Sequence, residues 1–242
     1  MFNRKGMPML EMLKHLPTPV GLGKKEIIDM LLKEEYGYLP ERPFSVTLAR
    51  KEEQKFYMGK AMLEKCILNC KASFGEFSFP VYYAHAIGKK NIPCFIHINF
   101  HDQVPDKGQP TEELIDLGYA PLTFCYKDVT SDNGDFTNGL AGVVYPDGVR
   151  KNTDCGKIGL WAWAAMAVMD YAVTLPELDP KRISVAGHSR LGKTALLAGA
   201  LDERFYCAFS NDSGNSGASL ARGSDQETIA MITKQFPYWF CS

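Results

Sequence analysis

The stretch ISVAGHSRLGKTALLAGAL, residues 183–201, has the pattern of a buried strand, a tight turn and a helix. We expect Ser189 to lie in the turn, above the carboxyl edge of a sheet and beside the positive end of the helix. The backbone N–H of Arg190 would face the same point and supply half of an oxyanion hole. This arrangement is typical of the nucleophile elbow of a serine hydrolase.

The glycines of this segment depart by one residue from the usual elbow pattern, G-x-S-x-G. Gly187 stands where a side chain would collide with the turn. Leu191 occupies the second glycine position, and Gly192 comes one residue later. Taken alone, the motif is therefore off-pattern.

The same segment also satisfies G-x-x-x-x-G-K-[ST], the phosphate-binding P-loop. In this alternative Lys193 would contact phosphates, Thr194 would hold magnesium, and Asp212 would imitate a Walker B carboxylate. Two features weigh against it. The loop interior, HSRL, is bulkier than that of most P-loops, and P-loops usually open their domain, whereas only 48 residues follow Thr194.

Strands and helices alternate around the elbow from residue 91 onward. The predicted elements are a strand at 91–100, a helix at about 110–117, a strand at 119–126, a long polar loop at 127–157, a helix at about 158–175, a strand at 183–187, a helix through about 201 and a strand at 206–212. Such alternation indicates βαβ units and a parallel sheet. The 158–175 helix is apolar nearly all round, so we expect it to be buried, with Trp161 and Trp163 in the core rather than in a sugar platform.

The first third of the chain has a different pattern. Residues 24–35 have the apolar spacing of a helix, and 43–85 alternate like antiparallel strands. Pro80 places its strand at a sheet edge, where proline is tolerated. The expected fold is α/β: an α/β-hydrolase with a mainly parallel sheet, antiparallel N-terminal strands and helices on both faces.

Composition excludes several classes of function. The 27 basic and 28 acidic residues are interspersed, so no basic face for nucleic acid is indicated. We see no membrane-spanning run and no signal peptide, and expect a cytoplasmic protein. The seven cysteines have neither disulfide-framework nor metal-site spacing, so we expect free thiols, no metal and no cofactor.

The sequence from residue 90 to 240 resembles the glucuronoyl esterases, a carbohydrate esterase family of α/β-hydrolases. The resemblance is densest in DPKRISVAGHSRLGKTALLAGALDERF and continues through SNDSGNSGASLAR to FPYWF. It implies cleavage of the ester that joins glucuronic acid on xylan to lignin alcohols. It further implies that Ser189 is the nucleophile, that the Arg190 side chain helps to stabilise the oxyanion, and that Lys193 contacts the sugar hydroxyls.

Three further residues are candidates for the site. Asp212 follows the strand after the nucleophile, where this fold places the catalytic acid, and its alternative role is that of a cap or turn residue for the glycine-rich loop that follows. Gln235 lies near the position of a substrate-contacting glutamine in the family, and a surface role is as good an account of it. The loop around Phe100 and His101 should give the second oxyanion donor from its backbone.

No histidine follows Ser189, although a Ser–His–acid mechanism needs an imidazole as general base. We therefore interpret residues 1–242 as a single α/β-hydrolase domain that is incomplete at its C-terminus. His101 becomes the suspected base if this chain hydrolyses a uronate ester by itself. An acetyl xylan esterase-like activity and an inactive carbohydrate-binding fragment remain open alternatives, beside the P-loop. The expected partner is a small-molecule or oligosaccharide uronate ester.

Overall fold

A seven-stranded sheet carries the fold in the computed structural model, which describes residues 23–106, 108–221 and 227–242. The strands are β1 (Ser45–Phe56), β2 (Ala61–Ala72), β3 (Gly75–Ala86), β4 (Ile92–Asn99), β5 (Ala120–Cys125), β6 (Leu178–His188) and β7 (Ala208–Asn211). Their order across the sheet is β1-β2-β3-β5-β4-β6-β7. The pairs from β1 to β5 are antiparallel, whereas β5, β4, β6 and β7 run parallel. The predicted α/β fold with antiparallel N-terminal strands is confirmed.

Helices connect the parallel strands and cover both faces of the sheet. They are α1 (Lys24–Leu31), α2 (Thr111–Asp116), α3 (Tyr126–Val129), α4 (Gly139–Val144), α5 (Lys157–Ala172), α6 (Arg190–Leu201) and α7 (Ile229–Gln235). Short 3-10 turns lie at Tyr57–Gly59 and Pro237–Trp239. Within the described residues, no helix is long and apolar enough to cross a bilayer.

The larger core lies on the sheet face that α5 and α6 cover. Fifteen of the sixteen residues of α5 are buried, as its all-round apolar sequence predicts. Trp161 and Trp163 are both fully buried there, so their predicted place in the core is confirmed. A smaller cluster on the opposite face joins Ile115 of α2 to Leu63 and Ala84. Because hydrophobic side chains pack against both faces of the sheet, the carboxyl ends of the parallel strands, where the elbow lies, are held in a rigid position.

Three sequence expectations need correction. The 24–35 helix is α-helical only to Leu31 and continues as one π-helical turn, Leu32–Tyr36. The 127–157 segment is not all loop, because α3 begins before it and α4 lies within it. The third correction concerns Pro80. Its strand, β3, lies inside the sheet, but the ladder to β5 involves only Tyr82 and Tyr83, so the proline removes no hydrogen bond from that ladder.

All seven cysteines are free thiols, and five of them are buried. Burial raises the pKa of the thiol of Cys70 to about 12. Such thiols pack as small apolar groups, and they are poor nucleophiles because they stay protonated.

Candidate active site

The turn between β6 and α6 has the backbone geometry of a nucleophile elbow. Ser189 has φ 55° and ψ −124°, a conformation that strains any residue with a side chain. Its backbone N–H donates to the carbonyl oxygen of Asn211 at 2.9 Å, which ties the turn to the end of β7. Helix α6 begins at the next residue, Arg190, so Ser189 lies at the positive end of that helix.

Both glycines of the motif lie where the backbone approaches another segment closely. A Cβ on Gly187 would lie 2.1 Å from the carbonyl oxygen of Leu191, so this position cannot carry a side chain without a shift of the turn. A Cβ on Gly192 would lie 3.0 Å from the carbonyl oxygen of Asn211, on the neighbouring strand. Leu191 is fully buried. The displaced glycine is thus explained: in this chain Gly192 makes the close helix–strand contact, and Leu191 fills the core.

Arg190 presents two different groups at the elbow. Its backbone N–H, the first of α6, precedes the helical hydrogen-bond ladder and can face a developing oxyanion. Its guanidinium forms an ion pair with Asp132, whose side chain is only 8% exposed. The guanidinium carbon lies 4.8 Å from the ring centroid of Trp239, 5.6 Å from that of Phe236 and 5.8 Å from that of Phe100. The side chain therefore lies in an aromatic enclosure with one acidic partner.

Lys193 lies one helical turn after Ser189, but it is buried. Its residue is 2% exposed, and its ammonium donates to the carbonyl oxygen of Ser213. Burial lowers the pKa of Lys193, and the carboxylates of Glu227, Glu35 and Asp212 oppose that effect. The predicted sugar contact of Lys193 therefore requires the Ser213 loop to give way.

The geometry argues against the P-loop alternative. Thr194 is fully buried, and its hydroxyl donates to the carbonyl oxygen of Arg190 at 3.0 Å. Lys193 likewise uses its ammonium on a backbone carbonyl. A P-loop needs both side chains free to contact phosphate and its metal ion. Neither is presented in that way here.

Asp212 follows β7 directly and lies exposed beside the elbow. Its φ is 47°, so the chain turns sharply at this residue. The preceding residue, Asn211, donates its side-chain amide to Nδ1 of His188 at 3.1 Å and accepts the backbone N–H of Ser189. The structure therefore brings Ser189 and Asp212 to the same edge of the sheet, at the ends of adjacent parallel strands.

His101 and Gln235 are placed near the elbow by their neighbours in the chain. His101 is exposed and follows Phe100, whose ring contacts His188 at 6.2 Å between centroids. Gln235 is the exposed last residue of α7 and precedes Phe236, part of the enclosure around Arg190. Both residues are exposed, and the contacts with the elbow described here are made by their neighbours Phe100 and Phe236.

Sequence reasoning missed the residues that surround Arg190. Asp132 accepts hydrogen bonds from the hydroxyl of Tyr126 at 3.1 Å and from the indole Nε1 of Trp239 at 2.8 Å, in addition to its ion pair. Asp132 and Arg190 are 58 residues apart in the sequence. The polar composition of 127–157 was the only local signal, and it does not indicate which of its acids reaches the elbow.

Groups of His, Cys, Asp and Glu that could hold a metal ion do not occur in the described part of the chain.

Comparison with known proteins shows the family of the chain. The family described as glucuronyl esterase, fungi, matches residues 69–237 of the chain. The chain belongs to the glucuronoyl esterase family. Carbohydrate esterase MZ0003, from an unknown prokaryotic organism, is 40% identical over 133 residues, which are 54% of this chain and 31% of that protein. The 4-O-methyl-glucuronoyl methylesterase of Podospora anserina is 27% identical over 82% of this chain and 38% of its own length.

Solved structures of glucuronoyl esterases share the fold. A promiscuous CE15 esterase from a marine bacterial metagenome has a TM-score of 0.77 and 26% identity, covering 90% of this chain and 64% of its own. A CE15 glucuronoyl esterase from Teredinibacter turnerae has a TM-score of 0.78 and 23% identity, covering 90% and 58%. The chain thus spans less than two thirds of each of these structures, and less than half the length of the two sequence relatives named above.

Proposed function

We propose that this protein acts on carboxylic esters of glucuronic acid through a covalent intermediate on Ser189. The observation that carries the proposal is the strained elbow of Ser189 in a chain of the glucuronoyl esterase family. Strain of this kind is retained where the position of a side chain matters. The name of the Podospora anserina relative, 4-O-methyl-glucuronoyl methylesterase, supports an ester of glucuronic acid as the substrate class. The resemblance of the sequence implies that this glucuronic acid is carried on xylan.

The reaction would proceed by acyl transfer. The Ser189 hydroxyl attacks the ester carbonyl while a base takes its proton, and the tetrahedral oxyanion accepts the backbone N–H of Arg190. A second N–H would come from the loop at Phe100 and His101, which the Phe100 ring places against His188. The intermediate collapses, the alcohol leaves with the proton, and water then releases the uronic acid.

The acid and the substrate contacts are assigned within the same proposal. Asp212 would orient the imidazole of a general base, because it directly follows β7, the strand next to the nucleophile. Gln235, exposed at the end of α7, and Lys193, after displacement from Ser213, would contact the sugar. In this chain no histidine follows Ser189, so the proposal assigns no residue after Ser189 as the general base.

Chemical rescue tests the proposal on the chain as it stands. Hydrolysis of a benzyl ester of glucuronic acid is measured with and without imidazole in solution, for the wild type, Ser189→Ala and Ser45→Ala. We expect a rate that depends on Ser189 and rises with imidazole, since free imidazole can take the serine proton. Ser45, on the distant edge strand, is the matched control and should behave as the wild type.

Two outcomes would count against the proposal. Equal rates for the wild type and Ser189→Ala would exclude Ser189 as nucleophile, and no hydrolysis at any imidazole concentration would exclude the esterase. Fast hydrolysis without imidazole would support the activity and move attention to His101. His101→Ala would then abolish it if that residue is the base.

A further inference from the structure

We propose that Asp132 is a positioning residue that holds the guanidinium of Arg190 in the orientation needed at the oxyanion. This inference rests on the proposed function, because it concerns how Arg190 acts in ester cleavage.

The side chain of Asp132 makes contacts that leave it no freedom. One carboxylate oxygen accepts both Nη1 of Arg190 and, at 3.1 Å, the hydroxyl of Tyr126. The other oxygen accepts Nε1 of Trp239 at 2.8 Å. Three donors from three separate segments thus converge on one nearly buried carboxylate. Charge-assisted bonds of this kind fix both distance and direction.

The aromatic enclosure prevents Arg190 from turning elsewhere. Phe100, Phe236 and Trp239 lie around the guanidinium, so its charge is partly desolvated and attracted by the ring faces. Its Nε is buried without a partner. Asp132 contacts Nη1, which leaves Nη2 to turn toward a reacting ester oxygen without loss of the ion pair. A donor that is already oriented needs no reorganisation when charge develops.

Asp132 is itself held by the loop that carries it. Asn138 accepts the backbone N–H of Ser131 at 2.9 Å, and Lys157 donates to the hydroxyl of Thr130 at 2.8 Å and to the carbonyl oxygen of Asp135 at 2.6 Å. Lys157 is the first residue of the buried helix α5. The position of the Arg190 guanidinium therefore depends on contacts with the core helix α5 as well as on its own helix, α6.

The decisive variant is Asp132→Asn, which keeps the size of the side chain and its acceptor for Trp239 but removes the charge. We expect kcat for the glucuronate benzyl ester, measured at fixed imidazole, to fall about 10-fold or more, with KM changed less than about 2-fold. The fall should be smaller than the 10²–10³ typical when an oxyanion donor is removed, since Arg190 stays present. Asp128→Asn, four residues earlier on α3, is the matched control and should leave both constants unchanged.

A second readout does not depend on turnover. The Nε–H of Arg190 should exchange slowly with solvent in the wild type, as seen by NMR, and the signal should be lost in Asp132→Asn but kept in Asp128→Asn. An unchanged Arg190 signal in Asp132→Asn overturns the inference even if the chain proves inactive as an esterase. A rise in kcat would also overturn it, because Asp132 would then be weakening Arg190 by neutralising its charge. Absence of activity in every variant with a normal Arg190 response would count against the esterase alone.

Discussion

Replacement of Ser189 by glycine should stabilise the protein while it removes the nucleophile. At φ 55° and ψ −124°, a residue with a Cβ stores about 1–3 kcal/mol of backbone strain. Glycine adopts this conformation without that strain, but it gains about 0.5–1 kcal/mol of conformational freedom in the unfolded chain. The difference leaves a net gain of about 1 kcal/mol in the free energy of unfolding.

Alanine at the same position separates strain from chemistry. Ser189→Ala removes the hydroxyl but keeps Cβ, so its strain should equal that of the wild type and its stability should lie within about 0.5 kcal/mol of it. Urea denaturation of the wild type and both variants measures the difference directly, and thermal unfolding should show Ser189→Gly about 2–4 °C above Ser189→Ala. If the glycine variant unfolds at the same urea concentration as the alanine variant or at a lower one, the elbow is not strained and the argument from strain to function fails.

Three other changes test the structure around the site. Gly187→Ala should destabilise by about 1–3 kcal/mol in urea denaturation, since its Cβ would lie 2.1 Å from the Leu191 oxygen; a variant as stable as the wild type would contradict that approach. Burial lowers the pKa of Lys157 to about 8, so as the pH rises its ammonium loses a proton in the folded protein before it does in the unfolded chain. The free energy of unfolding should therefore rise with pH above about 8 in the wild type but not in Lys157→Met. Arg204 and Arg42 hold the pKa of Asp202 below its usual value despite burial, so the stability it contributes is present above the pKa of the unfolded chain and lost as the pH falls below it. The gap in melting temperature between the wild type and Asp202→Asn should therefore narrow as the pH falls from 5 to 2, and a constant gap would contradict this ion pair.

The parts of the fold that follow from short-range patterns could be predicted from the sequence. The elbow and helix α5 are examples: one needs a strand, a glycine and a turn within a few residues, and the other needs only an uninterrupted apolar run. The position of Pro80 could not be predicted, because its tolerance inside the sheet depends on how short the ladder between β3 and β5 is. That length is set by packing between segments about 40 residues apart.

The candidate site shows the same division. Ser189 and Arg190 can be predicted because they are adjacent residues of one motif. Asp132 belongs to the site because a loop distant in the sequence brings it to Arg190, at the start of α6. Lys193 shows the opposite case. The family resemblance implies a sugar contact for Lys193, but its ammonium donates to the carbonyl oxygen of Ser213. Helical periodicity carries no information about that partner.

The burial of α5 on all its sides has a consequence for how the chain folds. A helix without a polar face is not stable at the protein surface. The neighbours of α5 include β4, which precedes it in the chain, and β6 and α6, which follow it. Until β6 and α6 pack against it, its sixteen residues expose apolar surface to other chains. We therefore expect the docking of this helix to limit the folding rate, and aggregation during refolding to rise with protein concentration at that step.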